Sequence, residues 1–284
     1  MDLNRVFERV FASRWIAGAD IGDAVRVAKK FNSKGISAAI NYLGESLDSE
    51  DEVSKAVGVY SRLIIELKRI SLHSDISVKP SQLGLAISTR LAASNYARIV
   101  SLARKNGLFV WLDMEEHNFV DDTIRLYRRQ MRRGMVGICI QAYLRRSKGD
   151  LESLSEDGAV IRLVKGAYKE SPKIAYQSRQ ETTLNYMKLM EMLFRNSKKF
   201  MIATHDSSMI RHSLELNRSY RREVTYAMLN GIRNKELARL ASLGNRTSVY
   251  IPFGEKWLEY SIRRLRESSH LALVLRSLVV SQNL

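Results

Sequence analysis

The stretch Val160-Ile-Arg162-Leu-Val164-Lys165-Gly166-Ala167-Tyr168 is a short apolar run that ends in a cation followed by a glycine. Further short apolar runs lie along the chain, and longer amphipathic stretches separate them. Such alternation, with no antiparallel hairpin signal, is typical of a parallel sheet whose strands are connected by helices. The eight predicted strands are 36–43, 76–79, 108–113, 136–141, 160–165, 200–205, 224–229 and 249–251.

Eight strand–helix units favour a closed barrel, so we predict an α/β fold, a (β/α)8 TIM-type barrel with N-terminal helices. The alternative, a doubly wound sheet, would carry a G-x-G-x-x-G turn after its first strand, and the chain has none there. The 284 residues suit one barrel, for which ~250 are typical. Because no Pro-, Gly- or Ser-rich linker divides the chain, we expect a single catalytic domain over 1–284, with a helical segment at 1–34.

Apolar residues that recur at helical spacing predict the helices between the strands. Residues 147–157 form a short, polar segment that fits either a brief helix or a loop. The predicted helices are 51–71, 88–106, 118–133, 174–196, 207–217, 233–243 and 255–280.

The chain is strongly basic, with 46 Lys and Arg against 30 Asp and Glu and a net charge of +16. A basic surface attracts nucleic acid, anionic membranes and acidic small molecules. The basic residues cluster in helical stretches, so the simplest interpretation is a solvated outer face, followed by weak peripheral contact with an anionic membrane. Zinc-finger spacing and aromatic ribonucleoprotein motifs are missing, and we predict no nucleic-acid partner.

The single cysteine, Cys139, excludes an internal disulfide and fits a reducing compartment. Its position in an apolar strand indicates a small core residue. The N-terminus, MDLNRVFERVFASRW, lacks the apolar core of a signal peptide, and no apolar stretch reaches the ~20 residues of a transmembrane helix. We therefore predict a cytoplasmic protein that touches the inner face of the cell membrane reversibly.

Several polar residues lie at or near the C-terminal ends of the predicted strands. In a parallel barrel these ends converge on one mouth, where active sites are built. A buried arginine is costly without a partner, so Arg162 indicates a bound anion, an electron-rich ring, or a structural salt bridge to Asp113 or Glu115. The strand-end residues are Lys79, Asp113, Gln141, Arg162 and His205.

An acidic cluster with one histidine follows the third predicted strand: Asp113, Glu115, Glu116 and His117. Carboxylates and imidazole can ligate a divalent metal, which leaves a metal-dependent barrel lyase or hydrolase as one alternative function. The cations predicted for the same mouth would crowd a metal ion, so we prefer Asp113 as a counter-ion and predict no metal. The second alternative is a basic module that binds nucleic acid or an acidic partner.

Four residues of the last predicted helix form one patch, because positions three and four apart share a helix face. Two neighbouring guanidinium groups in this patch suit a carboxylate or a phosphate. The alternative is an ordinary outer face with an Arg263–Glu267 pair. The patch comprises Tyr260, Arg263, Arg264 and Glu267.

Taken together, seven segments of the chain resemble the proline dehydrogenase family of flavoenzymes. They occur in the family's order and span most of the chain, and the Arg162–Tyr168 run with the terminal Tyr-x-x-Arg-Arg is the most specific part. The segments are 77–84, 112–116, 137–143, 162–168, 203–205, 249–254 and 260–267.

The resemblance implies a distorted (β/α)8 barrel that binds FAD without covalent attachment. It implies oxidation of L-proline to Δ1-pyrroline-5-carboxylate in proline catabolism, with hydride transfer from proline C5 to flavin N5. Electrons would pass to a membrane quinone or another acceptor. An oligomer or a larger complex is compatible with it.

The resemblance also assigns residues to the two ligands. Asp113 and Arg162 would be catalytic, with Asp113 orienting the charged network and Arg162 near flavin N5. The proline carboxylate would be bound by Lys79, Arg263 and Arg264, and the proline ring enclosed by Leu229, Tyr250 and Tyr260. The cofactor would be contacted by Gln141 and Arg162 and lined by Met114, Val164, Lys165, Gly166, Ala167, Thr204, His205 and Glu267.

The chain departs from its relatives at three of the positions near the cofactor. Lys169 stands where many relatives have Trp, Asp206 where Asn is more usual, and Met114 where many have Ala. Lys169 predicts the loss of adenine stacking and weak retention of FAD. Asp206 adds negative charge near the cofactor, and Met114 alters the edge of the flavin site. The bulky Tyr250 favours unsubstituted proline over hydroxyproline, because its ring would block a 4-hydroxyl group.

Overall fold

A computed structural model describes residues 15–257 of the chain. Within this range, parallel strands close into a barrel in sequence order, and β8 pairs with β1. The predicted (β/α)8 barrel is confirmed. Its strands are β1 (Ser37–Tyr42), β2 (Ser74–Val78), β3 (Val110–Leu112), β4 (Val136–Gln141), β5 (Ile161–Val164), β6 (Lys199–Ala203), β7 (Glu223–Leu229) and β8 (Arg246–Phe253).

Helix α1 lies within the predicted N-terminal helical segment 1–34, whose residues 1–14 fall outside the described range. The helices of the described range surround the barrel. None of them is both long and apolar enough to span a bilayer. The predicted helix 255–280 falls from residue 258 onward outside the described residues. The helices are α1 (Ile21–Asn32), α2 (Glu50–Arg69), α3 (Thr89–Lys105), α4 (Val120–Met131), α5 (Ser147–Glu156), α6 (Arg179–Asn196), α7 (Ser207–Tyr220) and α8 (Asn234–Ser242).

The structure decides one segment that fitted either a helix or a loop, and it moves several of the predicted boundaries, two of them for an identifiable reason. Residues 147–156 form a helix. Helix α6 begins at residue 179 and not at 174, because Ser178 and Glu181 form a reciprocal capping box. Strand β8 begins three residues before the predicted 249, because the polar start of the strand, Arg246, pairs with Thr225 of β7.

The inside of the barrel is filled below the mouth. Trp111 lies inside the barrel with Ala39, Met201 and Ala227. Gly137 makes room for it, since a Cβ atom there would lie 2.4 Å from Cζ3 of the indole. Strand β4 therefore needs a residue without a side chain at this position.

The end of the barrel opposite the mouth carries most of the net charge. Each helix ends there, and a basic last turn is favoured by the helix dipole. From the last four residues of each helix to the first residue of the next strand, the chain has 19 Lys and Arg against four Asp and Glu, a net +15 compared with +16 for the whole chain. We call this surface the basic face: residues 29–37, 66–74, 102–110, 128–136, 153–161, 193–199, 217–223 and 239–246.

Candidate active site

Asp113 is the centre of a buried charged network at the mouth, and its two oxygens have different partners. Oδ1 accepts a hydrogen bond from Ser77 Oγ at 2.7 Å and forms an ion pair with the guanidinium of Arg162. Oδ2 accepts a hydrogen bond from the hydroxyl of Tyr250 at 2.9 Å and lies 3.3 Å from Nζ of Lys79. The structure thus brings together four residues that the sequence assigned to the site: Lys79, Asp113, Arg162 and Tyr250.

The charges of this network stabilise one another. Burial by itself would raise the pKa of Asp113, but the cations Lys79 and Arg162 outweigh it and lower that pKa to about 2. Burial likewise opposes the charge on Lys79, yet the neighbouring Tyr250 and Asp113 hold its pKa well above the usual value. The carboxylate is therefore ionised and the lysine is protonated at neutral pH.

Several contacts fix the position of the Arg162 side chain, which extends from β5. Its Nε donates to Sγ of Cys139 at 2.8 Å, and its Nη2 donates to Oγ of Ser77 at 2.8 Å. The guanidinium carbon lies 5.0 Å from the centre of the Trp111 ring and 5.4 Å from that of Tyr250, which are cation–π distances. Cys139 is buried, as predicted, and it also belongs to the polar network.

The acidic cluster after β3 does not converge on one point. Glu115 is buried and accepts hydrogen bonds from the N–H and the hydroxyl of Ser81, both at 2.7 Å. Burial raises the pKa of Glu115 to about 7. The backbone N–H of His117 donates to Glu170 at 2.7 Å. Across residues 15–257, no group of three or more His, Cys, Asp or Glu side chains is arranged to hold a metal ion.

The sequence-based prediction missed a second carboxylate at the mouth. Glu45, in the loop after β1, lies 3.4 Å from Nζ of Lys79, and its Oε2 accepts a hydrogen bond from the hydroxyl of Tyr168 at 3.3 Å. Lys79 therefore bridges the carboxylates of Glu45 and Asp113. The available signal was an acidic residue two positions after the end of the first apolar run.

One wall of the mouth is apolar. Trp15, nearly fully buried, belongs to a cluster with Leu229, and Tyr250 packs against this cluster. The backbone N–H of Leu229 donates to Nε2 of His205 at 2.9 Å. The two described residues assigned to the proline ring, Leu229 and Tyr250, thus share one wall, which Trp15 extends.

The residues assigned to the cofactor lie on β4–β6 and in the segments that follow their ends. Nε2 of Gln141 donates to the carbonyl of Met114 at 3.1 Å, and Oε1 is buried without a hydrogen-bond partner among residues 15–257. Nζ of Lys165 lies 3.5 Å from the carboxylate of Asp206. Thr204 is buried, and residues 164–167 are half-buried.

Gly166 has a constrained position in the segment after β5. Its φ is +106°, and a Cβ atom there would lie 2.1 Å from Cδ1 of Tyr143. Only glycine adopts this conformation at such a close approach. The other site assignments, Tyr260, Arg263, Arg264 and Glu267, lie outside the described residues.

Comparison with protein families and curated proteins gives a consistent result. A family model described as "Proline dehydrogenase" matches residues 24–275. Proline dehydrogenase 1 of Bacillus subtilis (strain 168) is 32% identical over 276 residues, 95% of this chain and 91% of the relative. The proline dehydrogenase of Deinococcus radiodurans is 31% identical over 266 residues, 90% of this chain and 86% of the relative.

Solved structures share the fold at lower sequence identity. Proline utilization A from Bdellovibrio bacteriovorus, inactivated by N-propargylglycine, superposes with a TM-score of 0.84 at 24% identity and covers 92% of this chain. Proline utilization A from Corynebacterium freiburgense superposes with a TM-score of 0.77 at 22% identity and covers 96%. The chain spans about a third of each of these longer structures, 33% and 32%.

Proposed function

The chain belongs to the proline dehydrogenase family, and from this premise we propose that it oxidises L-proline to Δ1-pyrroline-5-carboxylate with FAD as cofactor. The observation that carries the proposal is the buried network of Lys79, Asp113, Arg162 and Tyr250 at the C-terminal ends of the strands. Active sites of parallel barrels are built at these ends.

The proline carboxylate binds to Lys79. The ammonium group is almost fully buried and protonated, and its partners are carboxylates, which is the chemistry that the substrate offers. Arg263 and Arg264, which the family resemblance assigns to the same anion, complete a clamp of three cations. Such a clamp fixes the orientation of a small substrate.

The apolar wall encloses the proline ring. Leu229 and Tyr250 contribute to it, and Tyr260 is assigned to the same pocket by the resemblance. Tyr250 has a fixed position, because its hydroxyl donates to Asp113 at 2.9 Å. Its ring is therefore held where it excludes a substituent at proline C4, which favours proline over hydroxyproline.

The residues on the cofactor side suit a flavin. Gln141 offers a buried oxygen that lacks a partner among the described residues and can accept an N–H bond. Arg162 supplies a fixed positive charge, which favours electron density on a neighbouring ring. FAD, when bound, supplies the acceptor for the hydride that leaves proline C5. The remainder of the cofactor is held by the residues that the family resemblance assigns to it: Met114, Val164, Lys165, Gly166, Ala167, Thr204, His205 and Glu267.

Proline must lose its amine proton before it gives up a hydride. Asp113 is not the base, because a carboxylate with a pKa of about 2 binds a proton only weakly and both of its oxygens already accept hydrogen bonds. The proton therefore leaves to water when the substrate binds. Asp113 instead fixes the positions of Lys79, Arg162 and Tyr250 relative to one another.

Electrons then pass to a quinone, and the protein acts in the cytoplasm with reversible contact to an anionic membrane. The basic face supports this contact, and it also exposes two apolar side chains among its arginines, Tyr220 and Leu243, at 37% and 63% exposure. A chain bound through this face points its mouth into the aqueous phase. We therefore expect a water-soluble, short-chain quinone to be reduced equally well with and without vesicles.

The absorbance spectrum of the purified protein tests the proposed function. The protein should be yellow, or become yellow with FAD, and the flavin absorbance should bleach with L-proline and not with D-proline. Arg264→Met should leave folding intact and raise the KM for proline steeply. No bleaching by L-proline at full FAD occupancy would disprove the function, and an unchanged KM would disprove the clamp.

The two alternatives predict different results. Stoichiometric metal in a colourless preparation would favour a metal-dependent lyase or hydrolase. RNA binding that weakens steeply with salt, without flavin uptake, would favour a basic binding module.

A further inference from the structure

Two small side chains, Ser77 and Cys139, each bridge the ion pair between Asp113 and Arg162. Ser77 Oγ accepts a hydrogen bond from Nη2 of Arg162 at 2.8 Å and donates its own hydrogen to Oδ1 of Asp113 at 2.7 Å. Cys139 Sγ accepts from Nε of Arg162 at 2.8 Å and lies 3.5 Å from the same Oδ1. The two bridges therefore have the same chemical pattern.

The four residues come from consecutive strands. Ser77 lies on β2, Asp113 follows β3, Cys139 lies on β4 and Arg162 lies on β5. Cys139 and Arg162 are directly paired in the sheet. Because the strands are rigid and adjacent, the bridges hold the guanidinium at a fixed angle to the carboxylate. The guanidinium also lies over the rings of Trp111 and Tyr250, which limit its movement.

Cys139 is suited to this role as a thiol. It is 3% exposed, and burial raises its pKa to about 12, so the sulfur keeps its hydrogen. The S–H group can donate to Asp113 while a sulfur lone pair accepts from Arg162. A side chain of the same volume without a polar atom would leave Nε–H of a buried arginine without an acceptor, which is costly.

We propose that Ser77 and Cys139 are positioning residues, which fix the guanidinium of Arg162 toward the cofactor and the carboxylate of Asp113 toward Lys79. This inference rests on the proposed function, since it concerns how the site is prepared for flavin and proline. Neither residue was predicted as a site residue. They act through Arg162 and Asp113 and need not touch the substrate.

The test compares Cys139→Val, which removes both hydrogen bonds, with Cys139→Ser, which keeps them. Cys139→Val should lower kcat about tenfold, as expected for a lost hydrogen bond to a charged group, while the KM for proline changes by less than about twofold. Cys139→Ser should restore kcat to within about twofold. The midpoint potential of the bound flavin should become more negative in Cys139→Val and return in Cys139→Ser.

A second measurement needs no cofactor. The Nε–H resonance of Arg162, identified by its loss in Arg162→Lys, should be protected from exchange with water in the FAD-free protein. Exchange should become at least about tenfold faster in Cys139→Val. Met201→Leu is the control, because Met201 lies beside Arg162 in the barrel interior and the change conserves its volume. It should leave exchange and potential unchanged.

Ser77→Ala tests the same proposal from the other strand, in case Cys139→Val does not fold. It should also lower kcat and shift the potential in the same direction. Unchanged kcat and potential in folded Cys139→Val and Ser77→Ala, together with unchanged Nε–H exchange in Cys139→Val, would overturn the proposal. If the native protein fails to oxidise proline, the proposed function is wrong, and the exchange measurement still decides whether Cys139 positions Arg162.

Discussion

The hydroxyl of Tyr250 donates a hydrogen bond to Oδ2 of Asp113 over 2.9 Å and joins β8 to the end of β3 across the mouth. The same oxygen lies 3.3 Å from Nζ of Lys79. Oδ1 faces Arg162 and its two bridges. One carboxylate thus contacts Lys79 and Tyr250 with one oxygen and Arg162 with the other, which under the proposed function are the substrate side and the cofactor side.

Tyr250→Phe keeps the ring and removes this hydrogen bond. Lys79 then becomes the main partner of Oδ2 and is drawn toward Asp113 and away from the substrate. We expect kcat/KM for L-proline to fall about tenfold with unchanged FAD content, measured by steady-state kinetics. Tyr96→Phe is the matched control, because the buried hydroxyl of Tyr96 has no partner among the described residues. Equal effects of the two changes would contradict the prediction.

Glu115→Gln should change the pH dependence of stability. Burial raises the pKa of Glu115 from 4.5 to about 7, so the native state holds this proton more tightly than the unfolded chain. The stability that this tighter proton binding contributes is fully present below pH 4.5, and it is lost as the pH rises toward 7. Relative to Glu115→Gln, the native protein should lose about 3 kcal/mol of unfolding free energy between these pH values. Urea unfolding of both proteins at pH 5, 6, 7 and 8 measures this difference. If the unfolding free energies of the two proteins change with pH in the same way, the prediction is wrong.

Gly166→Ala should be poorly tolerated. The new methyl group would overlap the ring of Tyr143, and the backbone has φ of +106°. Gly158→Ala is the control, because Gly158 also has positive φ, +77°, but open space around it. We expect losses of about 3 kcal/mol for Gly166→Ala and about 1 kcal/mol for Gly158→Ala in urea unfolding, since only the first adds a clash to the backbone strain. Similar losses would contradict the prediction.

Asp206→Asn should strengthen FAD binding. The carboxylate of Asp206 lies 3.5 Å from Nζ of Lys165 and reduces the positive charge available to an anionic cofactor. Asparagine retains the cap of α7, in which Oδ1 accepts from the N–H of Ser208 at 3.0 Å. We expect an FAD dissociation constant about threefold lower, measured by quenching of flavin fluorescence. Weaker binding would show that Asp206 helps to hold the cofactor.

Charge reversal on the basic face should release the protein from anionic vesicles. The triple change Arg132→Glu, Arg133→Glu and Lys198→Glu should weaken binding to phosphatidylserine vesicles at least about 100-fold at low salt, because each basic residue near the surface contributes about 1 kcal/mol. Sedimentation with vesicles measures the bound fraction.

The control for this experiment carries the same charge change away from the basic face. Its substitutions are Lys55→Glu, Lys148→Glu and Lys188→Glu, at exposed positions of α2, α5 and α6 that lie outside the basic face. This variant should retain most of the vesicle binding. An equal loss in both variants would indicate attraction to the net charge and not to the basic face.

The barrel and the position of its mouth could be predicted because both follow from local patterns. An apolar run followed by an amphipathic stretch produces a strand and a helix wherever it occurs, and eight such units leave few ways to bury the apolar faces. The strand ends therefore identified Lys79, Asp113, Gln141, Arg162 and His205 before any contact was known. Helix starts were less certain, because caps such as the Ser178–Glu181 box override the periodic pattern.

The sequence by itself determined the fold class, the family and the residue types that meet at the mouth. Only the tertiary structure decided which partners each of them has. Ser77 and Arg162 are 85 positions apart, and Tyr250 and Asp113 are 137 apart, so no local pattern records their contact. The physical reason is the pairing of the strands. Neighbouring pairing places β2 to β5 side by side, so that Ser77 and Cys139 bridge one buried ion pair, and the pairing of β8 with β1 closes the ring that brings Tyr250 to Asp113.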